Sequence, residues 1–198
     1  MRQRLLVCLH IPIVFLLLVM ILACTRTVKI QPASLQLNSP LKNLQSKSFL
    51  VKNFNDVRGV KENTIQGVGS CAAHRPIKEI VRTAITNELL RNGHRCVEQV
   101  KGDSADYIIE GSVYECGHSS TSIGFTTNRT IKVGLKLTVT RNDSRTTYFT
   151  KKYEGLSFKK DMGACSPSCI SDMVNRALMN AVQDFSLDKE FIGYLKGG

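Results

Sequence analysis

Between Leu5 and Leu22 the chain carries no charged side chain beyond the titratable His10. A run of that kind is not the solvated start of a cytosolic domain. Other absences narrow the chemistry. The chain has no H-E-x-x-H, no strained G-x-S-x-G turn and no phosphate-cradling glycine loop, which removes the common sequence routes to zinc proteases, serine hydrolases and P-loop enzymes. Gly67-x-Gly69 opens no such pattern and reads as a loop. The close C-x-x-C knuckle of zinc modules is missing as well. No internal repeat or heptad run is present, which excludes a solenoid or a coiled coil. The expectation is a non-enzyme that needs no cofactor.

The apolar run is preceded by Met1-Arg2-Gln3-Arg4 and followed by Ile21-Leu22-Ala23-Cys24. Basic residues, an apolar stretch and a small residue before a cleavage point make a secretory signal over residues 1–23. A cysteine directly after the small residue resembles the lipobox of bacterial lipoproteins. That resemblance implies that Cys24 becomes the first mature residue and that its sulfur carries lipid, with acyl chains such as palmitate. One chain gives only marginal binding, at about 0.8 kcal/mol per buried CH2; several give lasting attachment. The alternatives are an uncleaved membrane helix and simple secretion. Pro12 and His10 fit poorly in a lipid-facing helix. Thr25, where an aspartate is associated with inner-membrane retention, implies outer-membrane sorting with the domain facing the periplasm.

Removing residues 1–23 takes away Arg2 and Arg4 and no acid, lowering the formal net charge from +11 to +9. A basic surface suits anionic or protein partners in the envelope. Nucleic acid is not expected for an exported chain. The oligomeric state is not legible.

Residues 24–47 hold Pro32 and Pro40 among polar residues and read as a lipidated tether, although Val28 and Ile30 can seed a strand. The single domain is expected over residues 48–198. Phe49-Leu50-Val51 forms a short buried strand, and Pro76 opens a helix whose stripe is Ile77, Ile80, Val81, Ala84, Ile85 and Leu89, closed by Gly93. Strands follow near 94–99 and 106–115. Residues 117–128, rich in Gly, Ser and Thr, read as a flexible connection and a candidate binding loop. Ile131, Val133, Leu135, Leu137 and Val139 alternate with polar residues, so one face of that strand is wet. Arg141-Asn142-Asp143-Ser144 turns into a strand over 146–156. A second helical stripe runs from Ile170 to Phe185, capped by Ser168 or Ser171, and a last turn of helix follows from Asp188. The order is β-α-β-β-β-β-α: an α+β fold with a mainly antiparallel sheet of about five strands and two helices packed on one face.

The order of several short motifs resembles the YajG-type bacterial lipoproteins. They are the lipobox, Asp56-x-Arg58, Glu88-Leu89-Leu90-Arg91-Asn92-Gly93-His94, Ala105-Asp106-Tyr107, the helix Ala177 to Phe185, and Phe191-Ile192-Gly193-Tyr194-Leu195. The resemblance spans most of the chain from Phe49 to Leu195, and five further cysteines depart from it. It implies an outer-membrane lipoprotein and no reaction. Related α+β domains are accessory parts of envelope transport and assembly systems, which makes a subunit of such an assembly the first alternative and an envelope enzyme the second.

Four expectations concern sites. Asp56 and Arg58 either border a binding groove or form a surface ion pair worth about 0–1 kcal/mol. If the first helix is a right-handed crossover and hairpins follow it, Cys96, Cys116, Cys165 and Cys169 gather at one pole and form two disulfides, leaving Cys71 free or paired with another chain. The rival at that pole is zinc held by His94, Cys96, Cys116, His118, Cys165 and Cys169, against an oxidising compartment; no metal is the preferred expectation. A Cys71–His74 nucleophile pair is the remaining catalytic option.

Overall fold

A computed structural model describes residues 26–31, 39–69, 71–97, 105–143, 148–162 and 164–197. The segment expected to be a signal, residues 1–23, and Cys24, the expected lipidation residue, lie outside the described residues.

The main sheet combines short parallel strands with long antiparallel ones. Strands β2 (Ser48–Val51), β5 (Arg95–Val97), β6 (Tyr107–Ile123), β7 (Thr126–Arg141) and β8 (Tyr148–Asp161) lie in the order β5-β2-β6-β7-β8. A two-residue strand, β3 (Asn55–Asp56), also pairs with β6. The β6–β7 and β7–β8 ladders are antiparallel and make up most of the sheet, whereas β2 runs parallel to both β5 and β6. Helices α1 (Ile77–Arg91) and α2 (Pro167–Leu187) cover one face and touch each other, giving the α+β architecture read from the sequence.

The local causes are visible in each element. The α1 stripe Ile77, Ile80, Val81, Ala84, Ile85 and Leu89 is buried, and Gly93 takes φ +85° just past the helix end, a conformation cheap only for glycine. Before α2, the Ser166 hydroxyl accepts the Cys169 amide hydrogen at 3.2 Å and Pro167 occupies the first turn. Ser166 is thus the cap in place of Ser168 or Ser171. Ser171 instead donates to the carbonyl of Lys29. Asp188 ends α2 and starts α3 (Lys189–Lys196): its carboxylate accepts the Glu190 amide hydrogen at 2.9 Å and the Tyr153 hydroxyl at 2.7 Å. Phe191, Ile192 and Leu195 of α3 are buried, with Phe191 against Phe185.

Two expectations are corrected. The folded body begins before Ser48. Strand β1 (Arg26–Val28) pairs in parallel with β4 (Cys71–Ala73), and Val28, Ile30 and Leu41 are core residues. Enough apolar side chains stand in the expected tether to bind it to the domain, and the Ser39 hydroxyl fastens it to the Ser186 carbonyl at 2.9 Å. Second, residues 117–128 are not a flexible connection. They continue β6 and β7 in unbroken register to the pair Ile123–Thr126, leaving Gly124-Phe125 as a two-residue turn with Gly124 at φ +59°. Ser and Thr are tolerated there because threonine is β-branched and the strands are held by backbone bonds.

Candidate functional site

Asp56 and Arg58 make a clip inside the protein, in place of the groove or surface pair expected. The Arg58 guanidinium grips Asp56 through two parallel bonds of 2.8 and 2.6 Å and donates to the carbonyls of Thr64 at 2.6 Å and Glu62 at 3.0 Å. Both side chains are buried. Burial alone would raise the Asp56 carboxyl, but the hydrogen bonds and charge of Arg58 hold it below its ordinary value. A guanidinium spent on its own chain has little left for a ligand. Its work is to fold residues 57–65 onto β6.

The cysteine grouping is also corrected. Cys96 lies opposite Phe49, which lies opposite Tyr107 at the start of β6. Cys116 is nine residues further along β6, or about 30 Å at 3.3 Å per residue. The two therefore sit at opposite ends. The expected hairpin between β5 and β6 does not exist, because both strands flank β2 and run parallel to it. Among the described residues one disulfide is present, Cys165–Cys169, and Cys71, Cys96 and Cys116 are free thiols. Cys71 belongs with Cys116: Gln66 bridges to Gly117, and the Cys71 amide donates to Val68 at 3.3 Å. Burial pushes the Cys96 thiol up to about 11 and the Cys116 thiol up to about 12, so neither is a ready nucleophile.

The same geometry separates the zinc candidates. His94 packs edge-on against Phe49 and its Nδ1 accepts the Lys47 amide hydrogen at 3.3 Å. His118 is at the far end, with Nδ1 3.1 Å from the Gly67 carbonyl. Among the described residues the one group of three candidate ligands is Asp161, Cys165 and Cys169. Its sulfurs are bonded to each other, and Arg129 and Lys159 already stand on Asp161 at 3.0 and 3.8 Å. Two adjacent cations make that a poor place for a third. His74 is engaged as well: its Nδ1 accepts the Ile30 amide hydrogen at 3.2 Å.

Two open clefts lie among the described residues. One, of about 330 Å³, is bordered by Lys47, Asp106, Arg141 and Asp143. Asp106 accepts the Ser48 amide and hydroxyl hydrogens at 2.7 and 2.8 Å, and the backbone bond foremost lowers its carboxyl pKa. That residue splices β2 to β6. The other, of about 320 Å³ between α1 and β5, holds Arg82, Thr86 and Cys96, and Arg82 donates to the Val51 carbonyl at 3.1 Å. In these clefts Asp106, Arg82 and the Arg141–Asp143 pair at 3.0 Å already serve the fold.

A feature without a structural task among the described residues is the end of the long hairpin. Phe125 is 93 % exposed at its tip, with Ile123, Phe158 and Met162 exposed beside it. Ile123 and Phe158 fall on the face of the sheet away from the helices, since Ile131, Val133 and Ser157 are the buried alternates. Exposed aromatics on a protruding turn gain nothing for stability and are the usual mark of a contact surface. Sequence reading chose this segment for its polar flexibility. The available signal was the reverse, Ile123 and Phe125 standing in a run that is otherwise Gly, Ser and Thr.

No family model and no curated protein matches the sequence. Solved structures are similar in shape. A Xanthomonas campestris protein of the DUF330 family superposes with a TM-score of 0.59 at 10 % identity, covering 88 % of this chain and 99 % of its own. A Helicobacter pylori protein described as a neuraminyllactose-binding hemagglutinin homologue gives 0.53 at 10 % identity, covering 86 % and 97 %. At such identities the likeness is one of fold. Among the described residues no helix is long and apolar enough to cross a membrane.

Proposed function

We propose that this chain is a lipid-anchored, non-catalytic binding module of the bacterial envelope, attached through Cys24 to the outer membrane and facing the periplasm. The observation that carries the reading is the position of Arg26. It begins β1 and is held against Cys71, so the folded body starts two residues after the lipobox cysteine. A body so close to its anchor works at a membrane surface. The +9 charge of the mature chain, the motif order shared with YajG-type lipoproteins and Thr25 support the same reading. Mass spectrometry of the N-terminal peptide from purified membranes tests it. A lipid-modified Cys24, with Cys24→Ser releasing the protein into the soluble periplasmic fraction, is the expected result. An unmodified Cys24 in the mature protein overturns it.

One observation favours a second reading, a subunit of an envelope assembly. Strand β8 is an edge of the main sheet over fourteen residues, and such an edge is a template for another chain. Lys151, Lys152, Lys159 and Lys160 along it oppose indiscriminate pairing. Native mass measurement in mild detergent separates the readings: a defined oligomer, or an integral membrane protein retained through purification, favours the assembly.

A further inference from the structure

We infer that the β6–β7 tip is a wedge that enters an anionic lipid bilayer, the one into which the Cys24 lipid is inserted. This rests on the anchored reading above and adds which surface of the body meets the membrane.

The direction of the strands makes the case. Residues 64–66 run parallel to β6 where Gln66 bridges Gly117, and Thr64 pairs antiparallel with Ala72 of β4. Strand β4 therefore runs away from the tip, and β1, parallel to it, does the same. Followed backwards from Arg26, the direction of β1 points toward the tip. The level of Arg26 is fixed by register: Cys71 beside it stands across from Ile65, because Thr64 pairs with Ala72, and Ile65 stands across from Cys116, because Gln66 bridges Gly117. Ile123 lies seven residues beyond Cys116, about 23 Å of strand. Cys24 can be no more than about 7 Å from Arg26. The tip thus runs at least about 16 Å past the root of the anchor along the strands, so a hairpin entering at a slant sets it at the roughly 5–10 Å to which interfacial elements sink.

The chemistry of this end matches a bilayer better than a protein groove. Ile123, Phe125, Phe158 and Met162 project without a pocket of their own. Arg26, Lys159 and Lys160 are exposed on the flanks of this end, where phosphate headgroups would meet it. Acids are scarce there: none occurs from Cys24 to Asn55 or from Gly117 to Asn142, and Asp161 is held by Arg129 and Lys159. Apolar tip and basic collar are the two contributions that hold interfacial elements to anionic membranes.

The chain contains no tryptophan, so Phe125→Trp gives a single fluorescent reporter at a site too exposed to disturb folding. Leu90→Trp, exposed near the far end of α1, is the control. Full-length lipidated protein of each kind is placed in phosphatidylglycerol vesicles with and without brominated acyl chains, and Cys24 modification is confirmed by mass on the same sample. The expected result is a blue-shifted Phe125→Trp emission quenched by brominated lipid at least threefold more than Leu90→Trp, with the difference lost in neutral phosphatidylcholine. Equal quenching of the two reporters, with the lipid confirmed, overturns the wedge and leaves the anchor intact. A blue shift without brominated-lipid quenching means that a protein surface covers the tip, and overturns it too. Equal quenching of Phe125→Trp in charged and neutral vesicles overturns the anionic requirement. Missing lipid on Cys24 is instead the failure of the anchored reading.

Discussion

Gly155 on β8 lies so close to Ala177 on α2 that a Cβ added to it would stand 1.8 Å from the Ala177 carbonyl oxygen. The helix rests on bare strand backbone there, which brings Ala177, Leu178 and Ala181 flat against the sheet. Backbone cannot swing aside as a side chain can. Gly155→Ala is therefore expected to lose at least about 3 kcal/mol, the upper end of ordinary overpacking, or to fail to fold. Gly134→Ala, whose Cβ would meet the Tyr114 ring at 2.5 Å, is expected to cost less, because that ring lies on the solvent side and can turn. Urea titrations of the two variants check the ranking; equal losses would contradict it.

The buried pair Asp56–Arg58 is a folding device, and its removal is expected to show as lost stability. Arg58→Leu strands a buried carboxylate and is expected to cost about 3–5 kcal/mol. Asp56→Asn with Arg58→Leu is expected to recover part of that loss, since no unpaired charge remains. The Asp56 carboxyl is held below its ordinary value in the folded chain, so its stabilisation is full above the unfolded value of about 3.9. It is lost as pH falls through the lower folded value. Acid titration of the wild type and the double variant checks this: the double variant should have the shallower decline below pH 4.

How far the sequence discloses the molecule depends on the range of the interaction. Periodicity identified α1, α2 and the alternating strand at Ile131–Val139, because each depends on neighbours a few residues apart. The place of β2 between β5 and β6 was not legible. A hairpin and a parallel crossover ask for the same local residues, and the Cys96 and Cys71 assignments were exchanged as a consequence. Val28, Ile30 and Leu41 were hidden by the polar residues around them, their burial being decided by contacts with β4 and α2. Three of the motifs on which the expected YajG resemblance rested are explained as clips: Asp56 with Arg58, Asp106 on Ser48, and Asn92, whose amide donates to the Glu88 carbonyl and carboxylate at 2.8 and 2.9 Å. The tip was located but misread, since a Ser/Thr-rich stretch is equally at home in a coil or in a well-paired strand.

Thiol counting separates the one disulfide present from the two expected. In denaturant without reductant, three of the five cysteines after Cys24 are expected to react, namely Cys71, Cys96 and Cys116; after reduction all five should. In the native protein Cys71 is expected to react first. The Cys96 and Cys116 thiols, pushed up to about 11 and about 12 by burial, should lag by orders of magnitude. Because the Cys165–Cys169 bridge closes a separation of only four residues, its removal by double alanine substitution is expected to cost about 2 kcal/mol on chain-entropy grounds. One reactive thiol in the unreduced, denatured protein would restore the two-disulfide arrangement.

His94 gives the protein a stability that depends on pH near neutrality. Its ring is buried against Phe49, and its Nδ1 takes the Lys47 amide hydrogen, so the neutral form fits the site. Burial lowers its pKa, the charge of Lys47 adds to that, and the Leu41 backbone opposes it less strongly. Below an unfolded value of about 6.5 the unfolded chain takes up a proton that the folded chain refuses. Stability therefore falls as pH drops from about 6.5 toward the lower folded value, by at most about 1.4 kcal/mol per pH unit from this one group. Below the folded value the slope from His94 vanishes. His94→Asn keeps an acceptor oxygen near the Lys47 amide but has no proton to gain. It is expected to be less stable at pH 8, through lost contact with Phe49, and to show a flatter profile between pH 6.5 and 5. Denaturation midpoints across that range measure both effects, and an unchanged slope in His94→Asn would assign the dependence to another group.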